Sequence, residues 1–241
     1  MGVVHMTWPT VAVVLLTYER TDYACATLES AMDYMTYSGP LALHIADDGS
    51  DAEHIKRLAR QVETIPGHFS QETWTNSERR GYGASYNAAT QVVHEIAEII
   101  LPLEDDWVLT RLLNLDPLVE ALMQPDALFD CIRLGYIGYT QPLRGEFCYV
   151  SGAHYLRLDP SSPEPHVFAG HPRLETRARQ RRVGPWIEGL DPGTTEYEVA
   201  RRQEAREGVV WPLDLVHPRG GLFAHIGAVQ ARSDQREAVE A

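Results

Sequence analysis

The sequence predicts an α/β protein, a mostly parallel sheet flanked by helices in a single domain. Three observations carry that expectation. The run Val11–Leu16 has no polar interruption, as in a strand covered on both faces. Segments of helical apolar spacing alternate with further short apolar runs, the pattern of a doubly wound sheet. A chain of 241 residues with 44% hydrophobic content is long and apolar enough to bury one sizeable core.

Element by element, the first strand leaves through Thr17-Tyr18-Glu19-Arg20. A helix is predicted from Thr21 to Tyr37, with Thr21 or Asp22 as its N-cap and Gly39-Pro40 as its stop. Leu41–Ala46 reads as the second strand, ending in Asp47-Asp48-Gly49-Ser50-Asp51, and a helix follows from Asp51 to Thr64. Gln71–Thr75 reads as the third strand. The turn Arg79-Arg80-Gly81-Tyr82-Gly83 leads into a helix over Ala84–Ile96, and the fourth strand, Glu98–Leu103, runs straight into Glu104-Asp105-Asp106-Trp107. Beyond it the pattern predicts a helix over Leu112–Met123, strands over Phe129–Tyr136, Glu146–Val150 and Val209–Trp211, a helix over Thr195–Arg206 and a frayed tail over Ser233–Ala241. Prolines crowd Asp159–Arg173, and five arginines fall within Arg173–Arg182. That stretch reads as a loop region with a solvated basic face, the alternative being a surface that steers an anionic acceptor.

Twenty-one Lys+Arg against 34 Asp+Glu give a formal charge of −13, which disfavours nucleic acid and anionic membranes as partners. No apolar run is long enough to span a bilayer, and Met1–Pro9 lacks the basic start of a secretion signal. Cys25, Cys131 and Cys148 are widely spaced, with no C-x-x-C, as in a reduced compartment. The expectation is a soluble cytoplasmic protein without integral membrane association.

Ligands of an open parallel sheet gather at the carboxyl ends of its strands. Asp47-Asp48 ends the second strand and Glu104-Asp105-Asp106 the fourth, so two groups of carboxylates face one crevice. Like charges brought together raise one another's pKa, and such a crevice calls for a cation or a hydrogen-bonding ligand. In extended backbone Glu104 and Asp106 project to one side and Asp105 to the other. Their hard oxygens suit Mg²⁺ or Mn²⁺ completed by phosphate oxygens; the bland reading is a solvated turn. Gly81-Tyr82-Gly83-Ala84-Ser85-Tyr86 is not a dinucleotide fingerprint, because Tyr86 stands where the third glycine belongs. It offers instead a permissive backbone, guanidinium groups, and Asn87 one turn into the helix.

In this order, Val11–Arg20, Ile45–Asp51, Arg80-Gly81-Tyr82-Gly83 with Asn87, and Leu101–Asp106 resemble the nucleotide-diphospho-sugar glycosyltransferases of the GT-A fold, of the large family-2, inverting type. The resemblance covers roughly residues 11–107. It implies a Rossmann-like domain over 1–230, with a nucleotide-sugar half over 11–107, an acceptor half over 108–230, and a flexible tail over 231–241. Thr17, Tyr18, Glu19 and Arg20 would border the nucleotide, and Asp47 or Asp48 would accept a hydrogen bond from the base. Arg80, Gly81, Gly83 and Asn87 would flank the ribose and diphosphate. Glu104-Asp105-Asp106 takes the place of the family's Asp-x-Asp signature, with Glu104 and Asp105 on the donor side and Asp106 on the metal, Mn²⁺ or Mg²⁺. His225, within Gly220–Gly227, resembles the histidine that a carboxyl-terminal loop returns to that metal.

Inverting transfer also needs a base for the acceptor hydroxyl. The resemblance places it at a helix amino terminus, where Glu196 follows Thr194-Thr195 as candidate caps; a plain charge-dipole contact in the first turn is the alternative. Glu188, in Pro185-Trp186-Ile187-Glu188-Gly189, is the rival base, with Trp186 placed to stack on a sugar. The implied donor is a UDP-sugar, with GDP- and dTDP-sugars as alternatives, and the acceptor is a hydroxyl on a protein, glycan or small molecule. A sugar-1-phosphate nucleotidyltransferase and a non-catalytic nucleotide-sugar or glycan-binding module are the competing functions.

Overall fold

The computed structural model describes residues 7–64, 67–135, 145–159, 170–202, 210–212 and 222–227. The first half alternates as predicted: β1 (Val11–Thr17), α1 (Thr21–Tyr34), β2 (Met35–Thr36), β3 (Leu41–Asp47), α2 (Ala52–Glu63), β4 (Gln71–Asn76), α3 (Tyr82–Val93) and β5 (Ile99–Glu104). The second half holds β6 (Trp107–Leu109), β7 (Leu113–Asn114), α4 (Asp116–Met123), β8 (Cys131–Arg133), β9 (Gly145–Val150) and β10 (Ala153–Leu158). After these come β11 (Arg173–Thr176), α5 (Arg177–Val183), α6 (Pro192–Arg202), β12 (Val210–Pro212) and β13 (Phe223–His225).

Among the described residues the main sheet runs β4-β3-β1-β5-β11-β8-β12-β10-β9. Its β4-β3-β1-β5 part is parallel throughout, and β11 then joins β5 antiparallel. β1 is buried along its whole length. One set of its side chains, Val11, Val13 and Leu15, packs in the core that includes Ala24, Leu28 and Ala31 of α1 and Leu58 and Val62 of α2. The alternate set, Ala12, Val14 and Leu16, packs in the core that includes Tyr86, Ala89 and Val93 of α3 and Val199 of α6. An unbroken apolar run is therefore what this position requires. No helix among the described residues is long and apolar enough to cross a membrane.

Several boundaries differ from the sequence pattern, each for a physical reason. α1 stops at Tyr34 rather than Tyr37 because Met35 and Thr36 pair in parallel with Leu113 and Asn114. The same pairing delays the Leu112–Met123 helix to Asp116, with Pro117 in its first turn. Arg20, not Thr21 or Asp22, holds the cap position of α1, and it makes no side-chain cap bond. At α2 the cap is Asp51, which accepts from the His54 amide. The strand expected over Phe129–Tyr136 is confined to Cys131–Arg133. Tyr136, the end of the Thr195–Arg206 helix, residues 160–169 and the Ser233–Ala241 tail lie outside the described residues.

The arginine-rich stretch corrects a larger expectation. It is neither a loop nor a solvated face, since β11 lies between β5 and β8 and Arg173 and Arg179 are buried. Arg173 Nε donates to Glu175 Oε1 at 3.1 Å, and Arg179 pairs with the other carboxylate oxygen. Tyr86 donates to Glu175 Oε1 at 2.5 Å and accepts from Gln180 Nε2 at 2.7 Å. Arg177 and Arg182 reach outward to Glu98 and Asp130. Alternation placed Arg173 and Glu175 on one face of the strand, and each makes the other tolerable there. Removing the shared anion takes from both buried guanidiniums their nearest counter-charge. Glu175→Ala should therefore lower unfolding free energy by about 3–5 kcal/mol, read from urea denaturation against the wild type.

Candidate active site

The loops at the carboxyl ends of β1, β3 and β5 meet where the sequence placed its acids. The turn after β1 is tight and partly left-handed. Glu19 has φ 59°, a conformation that costs a non-glycine residue of order 1–3 kcal/mol. Its amide donates to Ser50 Oγ at 2.8 Å, and its carboxylate accepts from the Asp51 amide at 2.9 Å. Glu19 is thus an anchor of the turn. The turn aims Arg20 across the sheet end: Nη1 donates to Asp106 Oδ2 at 2.6 Å, and Nη2 pairs with Asp105 Oδ1. Asp105 also accepts from Thr17 Oγ1 at 3.2 Å and the Tyr18 amide at 3.3 Å.

Asp47 and Asp48 are largely engaged in holding loops. Asp47 Oδ2 accepts from the Gly49 and Ser50 amides at 3.0 and 2.9 Å, a local aspartate turn. Asp48 accepts from the Arg80 amide at 2.8 Å and the Gly81 amide at 2.9 Å, bracing the start of α3. Asp47 Oδ1 is buried without a hydrogen-bond partner among the described residues. Arg79 lies 4.2 Å from the Tyr18 ring centre. His54, which sequence reasoning passed over, is buried beneath this crevice. Its Nε2 is 3.1 Å from Thr17 Oγ1 and 3.7 Å from Asp47 Oδ1, and its Nδ1 is 2.8 Å from Thr21 Oγ1.

Gly83 and Asn87, expected at the ribose and diphosphate, instead clamp the 185–189 segment to α3. A Cβ at Gly83 would stand 2.6 Å from the Ile187 carbonyl oxygen. Asn87 Oδ1 accepts from the Trp186 amide at 2.8 Å, while Nδ2 donates to Trp186 O at 2.9 Å and Glu188 Oε1 at 3.1 Å. Trp186 is buried and stacked on Tyr86, with ring centres 4.0 Å apart. It is no open platform for a sugar. Glu188 is also held by Arg80 at 3.1 Å. Gly81, at φ +90°, has nothing within 4 Å of where a Cβ would project.

The acids of the fourth strand end separate. β5 ends at Glu104 and the chain turns through Asp105-Asp106, so the side chains do not follow simple strand alternation. Glu104 Oε1 accepts from Tyr82 Oη at 2.6 Å. Glu196 arrives from α6 and accepts from the Gly170 amide at 2.7 Å. A Cβ on Gly170 would overlap Glu196 Oε1 and stand 2.5 Å from Tyr82 Oη and 2.6 Å from Glu104 Oε1. Glycine is what lets this backbone touch three polar side chains. The helix carrying Glu196 is capped by Asp191, which accepts from the Thr194 amide at 3.0 Å, and not by Thr194 or Thr195. Glu196 lies beyond the first turn, where no acidic residue occurs, so a charge-dipole contact does not account for it.

Asp106 meets His225 from β13, with Nε2 3.3 Å from Asp106 Oδ2. The β13–β6 pairing sets His225 opposite Trp107 and its ring 4.8 Å from the indole. Among the described residues Asp106 Oδ1 and His225 Nδ1 are buried without a hydrogen-bond partner, and a Cβ on Gly227 would overlap Asp106 Oδ2. No three His, Cys, Asp or Glu side chains among the described residues form a metal-binding group. The donors on offer are two, a carboxylate and an imidazole, and they fit a divalent ion that takes its remaining ligands from phosphate oxygens and water.

Burial pushes the Glu104 carboxyl up to about 8; the charges of Glu196, Asp106 and Asp105 add to the rise, and the Tyr82 hydrogen bond opposes it. Asp105 is raised to about 6, again chiefly by burial, with Arg20 opposing. Burial also acts upward on Asp106, but the bonds from His225 and Arg20 outweigh it and leave the carboxyl below its ordinary range. A carboxyl whose folded pKa exceeds its unfolded one stabilises the fold below the unfolded value, and that contribution disappears as pH rises through the folded value. Metal-free protein should therefore lose stability between about pH 4.5 and about pH 8 as Glu104 ionises. Glu104→Gln should flatten this part of the curve in thermal melts without metal; a slope equal to the wild type's would contradict the assignment.

No protein-family model and no curated protein sequence matches the chain. Solved structures do. The mannosyltransferase PcManGT of Pyrobaculum calidifontis, solved with GDP-Man and Mn²⁺, is 18% identical at TM-score 0.52 over 97% of this chain and 65% of its own. S. aureus TarS 1–349 with UDP-GlcNAc is 14% identical at TM-score 0.57, covering 85% of this chain and 56% of that one. GalNAc-T7 with UDP, GalNAc and Mn²⁺ is 16% identical at TM-score 0.58, over 85% and 44%. The chain thus spans less than two thirds of each of these proteins, and at such identities the likeness speaks to architecture. The α/β alternation and the parallel β4-β3-β1-β5 sheet are those of the GT-A fold, to which these similar structures belong.

Proposed function

We propose that the protein transfers a sugar from a nucleotide diphosphate donor to an acceptor hydroxyl, with inversion and with Mn²⁺ or Mg²⁺ held by Asp106 and His225. One observation carries this reading. The Asp106–His225 pair and the Glu104–Glu196 pair, drawn from β5 and its exit, β13 and α6, meet at one end of the sheet. The similar structures contain GDP-Man, UDP or UDP-GlcNAc, two of those cited with Mn²⁺, which supports a nucleotide sugar as donor. We take a UDP-sugar as the first to test.

In this reading Thr17, Tyr18, Glu19 and Arg20 border the nucleotide, with Asp47 and Asp48 shaping the base side through the loops they hold, and Arg80 and Gly81 line the diphosphate side. Glu104 and Asp105 face the donor. A divalent ion at Asp106 supplies charge neutralisation for the departing diphosphate. Glu196 removes the proton from the acceptor hydroxyl as its oxygen attacks the anomeric carbon, on the face opposite the leaving group. The Gly170 amide donates to Glu196 Oε1 and so fixes where this carboxylate stands. Glu188 is the weaker candidate because Arg80 and Asn87 already occupy both its oxygens. The acceptor is a hydroxyl of a protein, glycan or small molecule, and the three cysteines, all unpaired, suit a cytoplasmic setting.

A thermal-shift panel of nucleotide sugars with and without Mn²⁺ identifies the donor, and nucleoside diphosphate release separates transfer from pyrophosphate exchange or from binding alone. Asp106→Ala should lose both the Mn²⁺-dependent shift and transfer. Glu196→Gln should keep the shift and lose transfer by roughly 10²–10⁴-fold. Transfer at the wild-type rate by Asp106→Ala would overturn the assignment.

A further inference from the structure

The left-handed turn after β1 sets a guanidinium on two buried carboxylates. Arg20 Nη1 donates to Asp106 Oδ2 at 2.6 Å, and Nη2 pairs with Asp105 Oδ1. The three side chains differ sharply in access to water. Arg20 is 36% exposed, whereas Asp105 and Asp106 are 2% and 6% exposed. The component that neutralises the acids is therefore the one free to swing away. Its position is nonetheless built: the Glu19 amide is tied to Ser50 and the Glu19 carboxylate to the Asp51 amide, so the β3 loop fixes the turn from which Arg20 projects.

A second, independent observation points to a ligand on the far side of the same carboxylate. Asp106 Oδ1 is buried without a hydrogen-bond partner among the described residues. Gly227 packs flush against Oδ2. A buried carboxylate oxygen left unsatisfied is costly, and a cation there would satisfy it. That cation and the Arg20 guanidinium would share one carboxylate at close range, where like charges repel strongly.

We infer that Arg20 is an internal placeholder cation: it holds Asp105 and Asp106 together in the free protein and is displaced when a divalent cation binds Asp106. The inference rests on the reading of Asp106 as a metal ligand. The displaced guanidinium remains tethered at the mouth of the crevice, and its planar fork matches phosphate oxygens. A diphosphate therefore receives the group that the metal expels. Metal and nucleoside diphosphate bind with positive coupling, and by linkage each strengthens the other equally.

The test is a Mn²⁺ titration of the full chain, followed by the electron paramagnetic resonance signal of free Mn²⁺, with and without UDP, on wild type, Arg20→Met, Arg20→Lys and Asp106→Ala. Arg20→Met should bind Mn²⁺ alone at least about tenfold tighter than wild type, and the gain in Mn²⁺ affinity produced by UDP should shrink. Without metal it should melt below the wild type, its two acids no longer bridged, and Mn²⁺ should restore the melt. Arg20→Lys keeps the charge but not the fork and should fall between, which preserves the test if the methionine variant does not fold. Mn²⁺ binding no tighter in Arg20→Met or Arg20→Lys than in wild type, or a UDP effect of unchanged size, overturns the placeholder role alone. Wild-type Mn²⁺ affinity in Asp106→Ala overturns the metal site as well.

Discussion

Three parallel strands in register determine where this molecule keeps its charge. Thr17 lies opposite Asp47, and Leu16 opposite Glu104, across the β3-β1-β5 ladder. The last apolar residue of β1 therefore sits level with the first acid of the β5 exit, and Asp47 level with the first polar residue of the β1 exit. Both faces of β1 are packed against helices, so it cannot slip without exposing one apolar set or burying polar groups. The crevice follows from that register: chain directions coincide, polar exits gather on one side, and the carboxylates have no lower-energy place to go.

Charge in the molecule is compensated in two different ways. Around Glu175 every charge has a protein partner: Arg173, Arg179 and the Tyr86 hydroxyl surround it, and the cluster sits inside the sheet where no ligand needs to reach. Around Glu104, Asp105 and Asp106 compensation is incomplete. Arg20 covers two acids, His225 approaches one, and Glu104 is left facing Glu196 with its pKa raised to about 8 by burial and by these neighbours. Charge left unbalanced at a sheet edge is characteristic of sites that handle substrate.

Legibility in the sequence divides along the same line. β1, β3 and β5 were readable because each is a short apolar run between polar loops, and β4 because Thr73, Trp74 and Thr75 follow the Pro66-Gly67 break. The acids were readable because they end those runs. Side-chain partners were not, since they depend on contacts remote in sequence. Asn87 lies close to the glycine turn and matched a nucleotide-binding pattern, yet it holds Trp186, ninety-nine positions away. Arg173–Arg182 looked like a solvated face because nothing local reveals that β11 inserts between β5 and β8. Gly170 carries no local signal, and Gly227 marks only a loop; the importance of both is the absence of a Cβ where Glu196 and Asp106 approach. The histidine at 225 could be nominated from its glycine-flanked loop, but its meeting with Asp106 depends on the β13–β6 ladder.

The two candidate bases show how such geometry discriminates between residues that sequence treats alike. Both Glu188 and Glu196 are single glutamates in the second half, each near a helix. Glu188 is exposed and shared between the Arg80 guanidinium and the Asn87 amide, so both its oxygens are already engaged. Glu196 has a backbone amide for one oxygen and another carboxylate for a neighbour. Glu196 thus stands among the acids at the sheet end, against Gly170, Tyr82 and Glu104, whereas Glu188 is drawn to Arg80 and α3.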